Sequence, residues 1–277
     1  MTSKPAPTVR LRNGADLPLL GLGTWPLNDA EAADTVATAI DAGYRLIDTA
    51  ENYRNEAGVG EGIHRSGIER NELFLTTKFN KEWHGHDGAR RAFSNSSRLL
   101  GVDYIDLLLV HWPNPDQDRY VEAVEGIAAL VDEGLVRAVG TSNFKPSHLQ
   151  RVLDAGVVPE VNQIQLDPRR TRQDVRAFHA RHSIVTEAWS PLGPRSNLLE
   201  MPVITSLAEQ YGKVPAQIVL RWHVQQGVVA IPKSSHPGRL SQNIDIFDFE
   251  LTPRELDSIS ALDTGESDIT DSDTFGH

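Results

Sequence analysis

The chain has 277 residues, no cysteine and a formal net charge of −11. Without cysteine, neither a disulfide framework nor a thiolate metal site can form. The acidic balance argues against nucleic acid or an acidic membrane as main partner, because phosphate groups select clustered Lys and Arg.

The opening MTSKPAPTVR lacks an apolar core of the kind a secretory signal needs, and no run of 18 apolar residues occurs, so a cytoplasmic protein is expected. Within VRLRNGADLPLL, Asn13 and Gly14 separate two alternating segments, which signals a hairpin turn. Apolar runs then alternate with helical patterns. LLGLGTW ends at Trp25 and precedes a helix over 29–42, YRLID one over 56–66, ELFLTTK one over 87–100 and DLLLVH one over 120–133. VRAVGTS precedes a helix over 146–154 and VNQIQL one over 172–182, while IVTEAWS and VVAIP complete eight strands. This alternation predicts an α/β fold with a closed parallel sheet, a (β/α)8 TIM barrel, and the length is the usual one for that fold. No Pro/Ser-rich linker interrupts the pattern. A single domain over 1–277 is expected, with the hairpin at 8–18 and an acidic, Ser/Thr-rich tail over 263–277.

Four residues with chemical potential fall at or just after predicted strand ends, the face on which barrels build active sites. Asp48 and Tyr53 lie in GYRLIDTAENYRNEAGVG (43–60), Lys78 ends LFLTTK, and His111 ends IDLLLVH. They amount to an acid, a cation to tune it, a carboxylate to hold the cation and an imidazole, a set suited to protonating a carbonyl oxygen. These segments, with VRAVGTSNF at 136–144 and IPKSSHPGRLSQNI at 231–244, closely resemble the aldo-keto reductases of bacterial type over nearly the whole chain. The resemblance implies a barrel whose amino-terminal end is capped by the hairpin, and NADPH-dependent reduction of carbonyls to alcohols.

Carbonyl reduction needs a proton for the developing alkoxide from an acid within hydrogen-bond reach. A free phenol, with a pKa of about 10, is poorly matched to that task near neutrality, and a nearby ammonium lowers the value. The resemblance makes Tyr53 the acid, Lys78 and Asp48 the groups that tune it, and His111 the group that orients the substrate. Its rivals are a nicotinamide-binding regulatory subunit with little turnover and a Schiff-base aldolase using Lys78.

No GxGxxG fingerprint follows a strand, so a Rossmann-type pyrophosphate site is not indicated. KSSHPGRLSQN instead sets Lys233, Ser234, Arg239, Gln242 and Asn243 after the last strand at a helix entry, where barrels commonly hold phosphate. The resemblance implies that this segment holds the adenosine 2′-phosphate, and hence that NADPH/NADP+ is the cofactor. It assigns Ser142, Asn143 and Gln163 to the nicotinamide carboxamide. Trp189 stands where the family commonly stacks a tyrosine on the nicotinamide, and Ser190 and Leu192 can reach the pyrophosphate through their backbone. Two segments depart from the family pattern: Thr141 in VGTSNF, and KFNKEWHGH at 78–86 beside the mouth.

Trp25, Trp83 and Trp112 follow the first, third and fourth strands and are expected to wall an apolar substrate pocket. The tail is short, which favours small aldehydes, α-dicarbonyls, keto acids or keto sugars over bulky ligands. His84 and His86 are closely spaced but lack an acidic partner at a matching offset, so no metal is assigned. A monomer acting on a small-molecule carbonyl substrate is expected, with no nucleic-acid or membrane partner.

Overall fold

The computed structural model describes residues 6–193, 196–265 and 269–277, so parts of the opening segment and of the 263–277 tail lie outside the described residues. Two short strands, β1 (Thr8–Arg10) and β2 (Asp16–Pro18), pair antiparallel around the Asn13–Gly14 turn. Asn13 stabilises the turn by accepting the Ala15 N–H on its own side-chain oxygen, and Gly14 adopts φ +89° there.

The barrel strands are β3 (Leu22–Gly23), β4 (Leu46–Asp48), β5 (Phe74–Phe79), β6 (Ile105–Val110), β7 (Val136–Ser142), β8 (Val161–Gln165), β9 (Val185–Trp189) and β10 (Val229–Ile231). Each pairs in parallel with the next in chain order. Backbone bonds from Gly21 N–H to Ala230 O (2.9 Å) and from Gly23 N–H to Pro232 O (3.1 Å) join the last strand to the first. This is the (β/α)8 barrel expected from the strand pattern, with the expected hairpin.

Helices α1 (Asp29–Asp41), α2 (Glu56–Ser66), α3 (His86–Leu100), α4 (Tyr120–Asp132), α5 (Pro146–Asp154) and α6 (Gln173–Arg181) stand where the periodicity places them, within a residue or two. The first is fixed by a capping box in which Asn28 accepts Glu31 N–H and the Glu31 carboxylate accepts Asn28 N–H. Between β9 and β10 the chain forms α7 (Pro202–Tyr211) and α8 (Pro215–Gln225), and α9 (Pro237–Ile244) and α10 (Pro253–Ser260) follow β10. Each of these four begins with proline at its first turn, where the missing N–H costs nothing. Among the described residues no helix is long and apolar enough to cross a membrane.

Side chains alternate between the barrel interior and the helical layer along each strand. On β6, Leu107 and Leu109 join the interior cluster, while Leu108 and Val110 pack outward against α3 and α4 residues such as Phe93 and Ile127. The lower interior is an apolar plug of Leu46, Phe74, Leu107, Leu109, Val161 and Val229, and the hairpin residues Leu11 and Leu17 close it from below. Continuing each strand at the same period of two puts Asp48, Lys78, Gln163 and Glu187 in the interior layer above that plug, toward the carboxyl ends. The plug thus gives this polar layer a dry floor.

Candidate active site

Above the polar layer opens a cavity of about 520 Å3. Lys78 is fully buried at its base. Its ammonium donates to Asp48 Oδ1 at 2.7 Å, to the Thr49 carbonyl at 3.0 Å and to Tyr53 Oη at 3.4 Å. Asp48 is brought there by β4, Tyr53 by the helical turn Glu51–Tyr53 that follows it, and Lys78 by β5. His111 sits one residue beyond β6, with its ring 5.9 Å from that of Tyr53 and Nδ1 sharing a 3.3 Å contact with Asn80 Oδ1. The four residues singled out in the sequence therefore converge on one floor.

The electrostatics depart from expectation at Tyr53. Burial raises its pKa above the ordinary phenol value; Lys78 pulls it down, Asp48 and Glu187 push it up, and the net shift is upward. The tuning effect of Lys78 is present, but here it offsets desolvation in part instead of producing a free phenolate. Burial opposes the charge on Lys78, yet Asp48 and Tyr53 outweigh it and hold its pKa above the usual lysine value. Burial, then Lys78 and His277, hold His111 well below the usual histidine range, so its imidazole is neutral.

Sequence reasoning passed over Glu187. It is fully buried on β9, and Gln163 Nε2 donates both to Asp48 Oδ2 (2.8 Å) and to Glu187 Oε1. Burial, and then the Asp48 charge, raise its pKa to about 8. The only signal was a charged residue within the apolar run IVTEAW.

Ser142, Asn143, Gln163, Trp189, Ser190, Leu192 and Lys233 all line the cavity, as do Trp25 and Trp112. Asn143 adopts φ +63°, its amide nitrogen donates to the His111 carbonyl (3.1 Å) and to Ser142 Oγ (3.0 Å), and its oxygen accepts the indole N–H of Trp189 (2.9 Å). Tryptophan at 189 thereby makes a bond that tyrosine could not make in the same way. Ser234 is buried next to Lys233, and its hydroxyl oxygen accepts from Arg239 Nε at 3.3 Å. Arg239 and Gln242 are exposed on α9, and Asn243 is buried there, so Ser234, Arg239, Gln242 and Asn243 lie beyond the cavity rim. The amino end of α9 is partly self-capped, because His236 Nδ1 accepts Gly238 N–H.

Trp83 is not brought to the cavity. Its indole N–H donates to Glu51 Oε1 at 2.6 Å, and its ring packs on the cluster containing Phe79 and Phe93. The place expected for it is taken by the tail, where Phe275 meets Trp112 with ring centroids 4.9 Å apart and His277 meets His111 at 5.1 Å. Lys145 holds this tail through Asp271 (2.6 Å) and Asp273 (2.5 Å). Nothing local in the sequence pointed to that return. Among the described residues no group of three or more His, Cys, Asp or Glu side chains gathers as a metal site.

The chain matches the Aldo/keto reductase family over residues 19–264. It is 47% identical to an aldo-keto reductase of Mycolicibacterium smegmatis and 45% identical to the methylglyoxal reductase DkgA of Escherichia coli K12, covering 98% of both chains in each case. Among solved structures, an aldo/keto reductase from Brucella melitensis is 46% identical with a TM-score of 0.90, covering 93% of this chain and 100% of that one. A mutant of Gox0644 in complex with NADPH is 40% identical with a TM-score of 0.93 and 98% coverage of both. With sequence similarity over almost its whole length and the same barrel, this chain belongs to the aldo/keto reductase family.

Proposed function

We propose that the protein reduces small aldehydes, ketones or α-dicarbonyls to alcohols with NADPH, and that Tyr53 is the general acid. One observation carries the reading: a fully buried ammonium, Lys78, held by Asp48 and 3.4 Å from a phenol hydroxyl at the base of an open cavity. Burying charges costs several kcal/mol per ion, and apolar packing of similar volume often serves a fold equally well. A structural need does not account for this ion pair, whereas a proton donor that must briefly carry negative charge does.

The residues present fit the cofactor. Gln163, Asn143 and Ser142 offer amide and hydroxyl groups on the cavity wall, beside the broad face of Trp189. Lys233 at the rim, with Ser234, Arg239, Gln242 and Asn243 beyond it, would hold the adenosine 2′-phosphate end, and Ser190 and Leu192 the pyrophosphate. When bound there, NADPH would supply a hydride for the carbonyl carbon. Tyr53, protonated at neutral pH, delivers its hydroxyl proton to the carbonyl oxygen as negative charge builds there. The phenolate left behind faces the Lys78 ammonium, which Asp48 keeps charged. A neutral His111 orients the same oxygen without adding a charge, and Trp25, Trp112 and Phe275 form an apolar mouth that limits water. The relatives support both ends of the reading, one named as a methylglyoxal reductase and another solved in complex with NADPH. The protein is read as a cytoplasmic monomer, and one chain supplies all these cavity walls.

NADPH oxidation followed by absorbance with a reactive α-dicarbonyl tests the reading, and steady turnover is expected. NADPH binding without turnover of any small carbonyl would favour the regulatory-subunit alternative. The aldolase alternative needs a neutral amine, and Lys78 is held protonated.

Arg239→Ala tests the cofactor end. Hydrogen bonds to charged groups contribute about 1.5–3 kcal/mol, so the dissociation constant for NADPH is expected to rise roughly 10- to 100-fold. The constant for NADH, which lacks the 2′-phosphate, should move by less than about threefold. Equal weakening of both, measured by quenching of tryptophan fluorescence, would place the 2′-phosphate elsewhere.

A further inference from the structure

Glu187 lies at the interior position of β9, in register with Gln163 of β8 and Val229 of β10. Its neighbours at the same parity are Val185 below and Trp189 above, so a carboxyl group there interrupts an otherwise apolar column. Its Oε1 accepts from Gln163 Nε2, and among the described residues its Oε2 has no partner. The second Nε2 hydrogen of Gln163 goes to Asp48 Oδ2 at 2.8 Å.

A primary amide has two N–H donors and one carbonyl oxygen. Two protein carboxyl groups therefore consume the whole donor capacity of Gln163. Among the described residues nothing donates to its Oε1, and Gln163 lines the cavity. The amide can offer a ligand only an acceptor.

We propose that Glu187 is a positioning residue for the nicotinamide carboxamide: by engaging one N–H of Gln163 while Asp48 engages the other, it fixes the amide with its carbonyl oxygen toward the cavity. Without Glu187, one amide hydrogen is unpaired in a dry site. Asp48 alone then holds the group, so the amide can rotate about that one bond and its carbonyl oxygen is no longer fixed toward the carboxamide NH2. Glu187 itself stays neutral around pH 7, its pKa raised to about 8 by burial and the Asp48 charge, so Asp48 remains the sole anion beside Lys78. Gln163 thereby connects the acid-tuning pair to the cofactor face through a single amide. The inference rests on Gln163 facing the nicotinamide, as proposed above.

The test compares the affinity of Glu187→Met and Glu187→Gln for two ligands, NADPH and adenosine 2′,5′-bisphosphate, which lacks the nicotinamide. Glu187→Gln keeps an acceptor and should bind NADPH within about threefold of wild type. Glu187→Met removes it, and a lost hydrogen bond in a buried site predicts roughly tenfold weaker NADPH binding, with the bisphosphate unchanged. In a Gln163→Ala background Glu187→Met should have almost no further effect, since it acts through that amide. If the methionine variant does not fold, Glu187→Asp, which withdraws the carboxyl by one methylene, should show the same selective loss. Wild-type NADPH affinity in Glu187→Met and Glu187→Asp, equal weakening for both ligands, or additivity with Gln163→Ala would each overturn the role of Glu187. Wild-type protein that binds neither ligand would instead remove the NADPH reading itself.

Discussion

Replacing Tyr53 by phenylalanine is expected to cut turnover by at least two orders of magnitude while leaving the dissociation constant for NADPH within about twofold. The substitution removes a single oxygen. The ring contacts with Trp25 (5.3 Å) and His111 (5.9 Å) are kept, and Lys78 retains its bonds to Asp48 and Thr49. What is lost is the proposed proton donor, and general-acid catalysis typically contributes about 10²- to 10⁴-fold. Because the loss falls on the transition state, kcat and kcat/KM should drop together. Single-turnover mixing of preloaded enzyme with an α-dicarbonyl isolates that step. A variant with wild-type turnover would take Tyr53 out of the mechanism.

Acid is the second lever, and it acts on stability through buried imidazoles, His84, His179 and His223 as well as His111 on the cavity floor. His84 is 2% exposed, and His179 and His223 are fully buried. Burial first, then nearby arginines, push their pKa values down to about 4, about 3 and about 3. His179 shows the cause in its bonds: Asn162 Nδ2 meets Nε2 at 2.9 Å and Thr186 Oγ1 meets Nδ1 at 2.8 Å. Asn162 has its oxygen occupied by the Thr141 hydroxyl and its nitrogen donating also to the Phe144 carbonyl. Nε2 must therefore accept, and a proton placed there would oppose an N–H.

The unfolded chain binds protons at these histidines below about pH 6.5 and the folded chain does not, so their contribution is complete above that pH and falls away toward pH 3. At pH 5 each depressed imidazole costs about 2 kcal/mol of stability, about 6 kcal/mol for His84, His179 and His223 together, against a total of about 5–15 kcal/mol for a typical protein. Glu187 runs the other way. Its raised pKa makes the folded state bind a proton that the unfolded state gives up, so it adds stability as pH falls through about 8. Glu51 and Glu56, also raised by burial, have the same sign. A difference between variants separates these effects. His179→Gln should lose about 2 kcal/mol less than wild type between pH 7 and pH 5 in urea unfolding, and parallel losses would mean that His179 does not titrate as placed.

The barrel was legible because its signals are local. Apolar runs ending in Asp48, Lys78 and Ser142 alternate with helical periodicity, and at a period of two the last inward residue of each run must enter the polar layer. Proline at the first turn of α5 and glycine after α2 and α3 mark boundaries that any such chain would respect. What was missed depends on distance and burial. Glu187 reads as one charge in an apolar strand until Gln163 and Asp48 are set beside it. Phe275 and His277 reach the cavity across more than half the chain's length, and Trp83 turned to Glu51. The upward shift of Tyr53 follows from desolvation, which a sequence does not display, competing with the Lys78 charge that it does.

Isotope transfer reads out direct hydride delivery to a carbonyl carbon in this cavity. Wild-type protein incubated with NADPH deuterated at the transferable position of nicotinamide C4 and with an α-dicarbonyl should give an alcohol carrying one deuterium on the new carbinol carbon, read by mass spectrometry. Alcohol without deuterium, or bound NADPH that yields no alcohol from any small carbonyl, would mean that no direct hydride transfer takes place in this cavity.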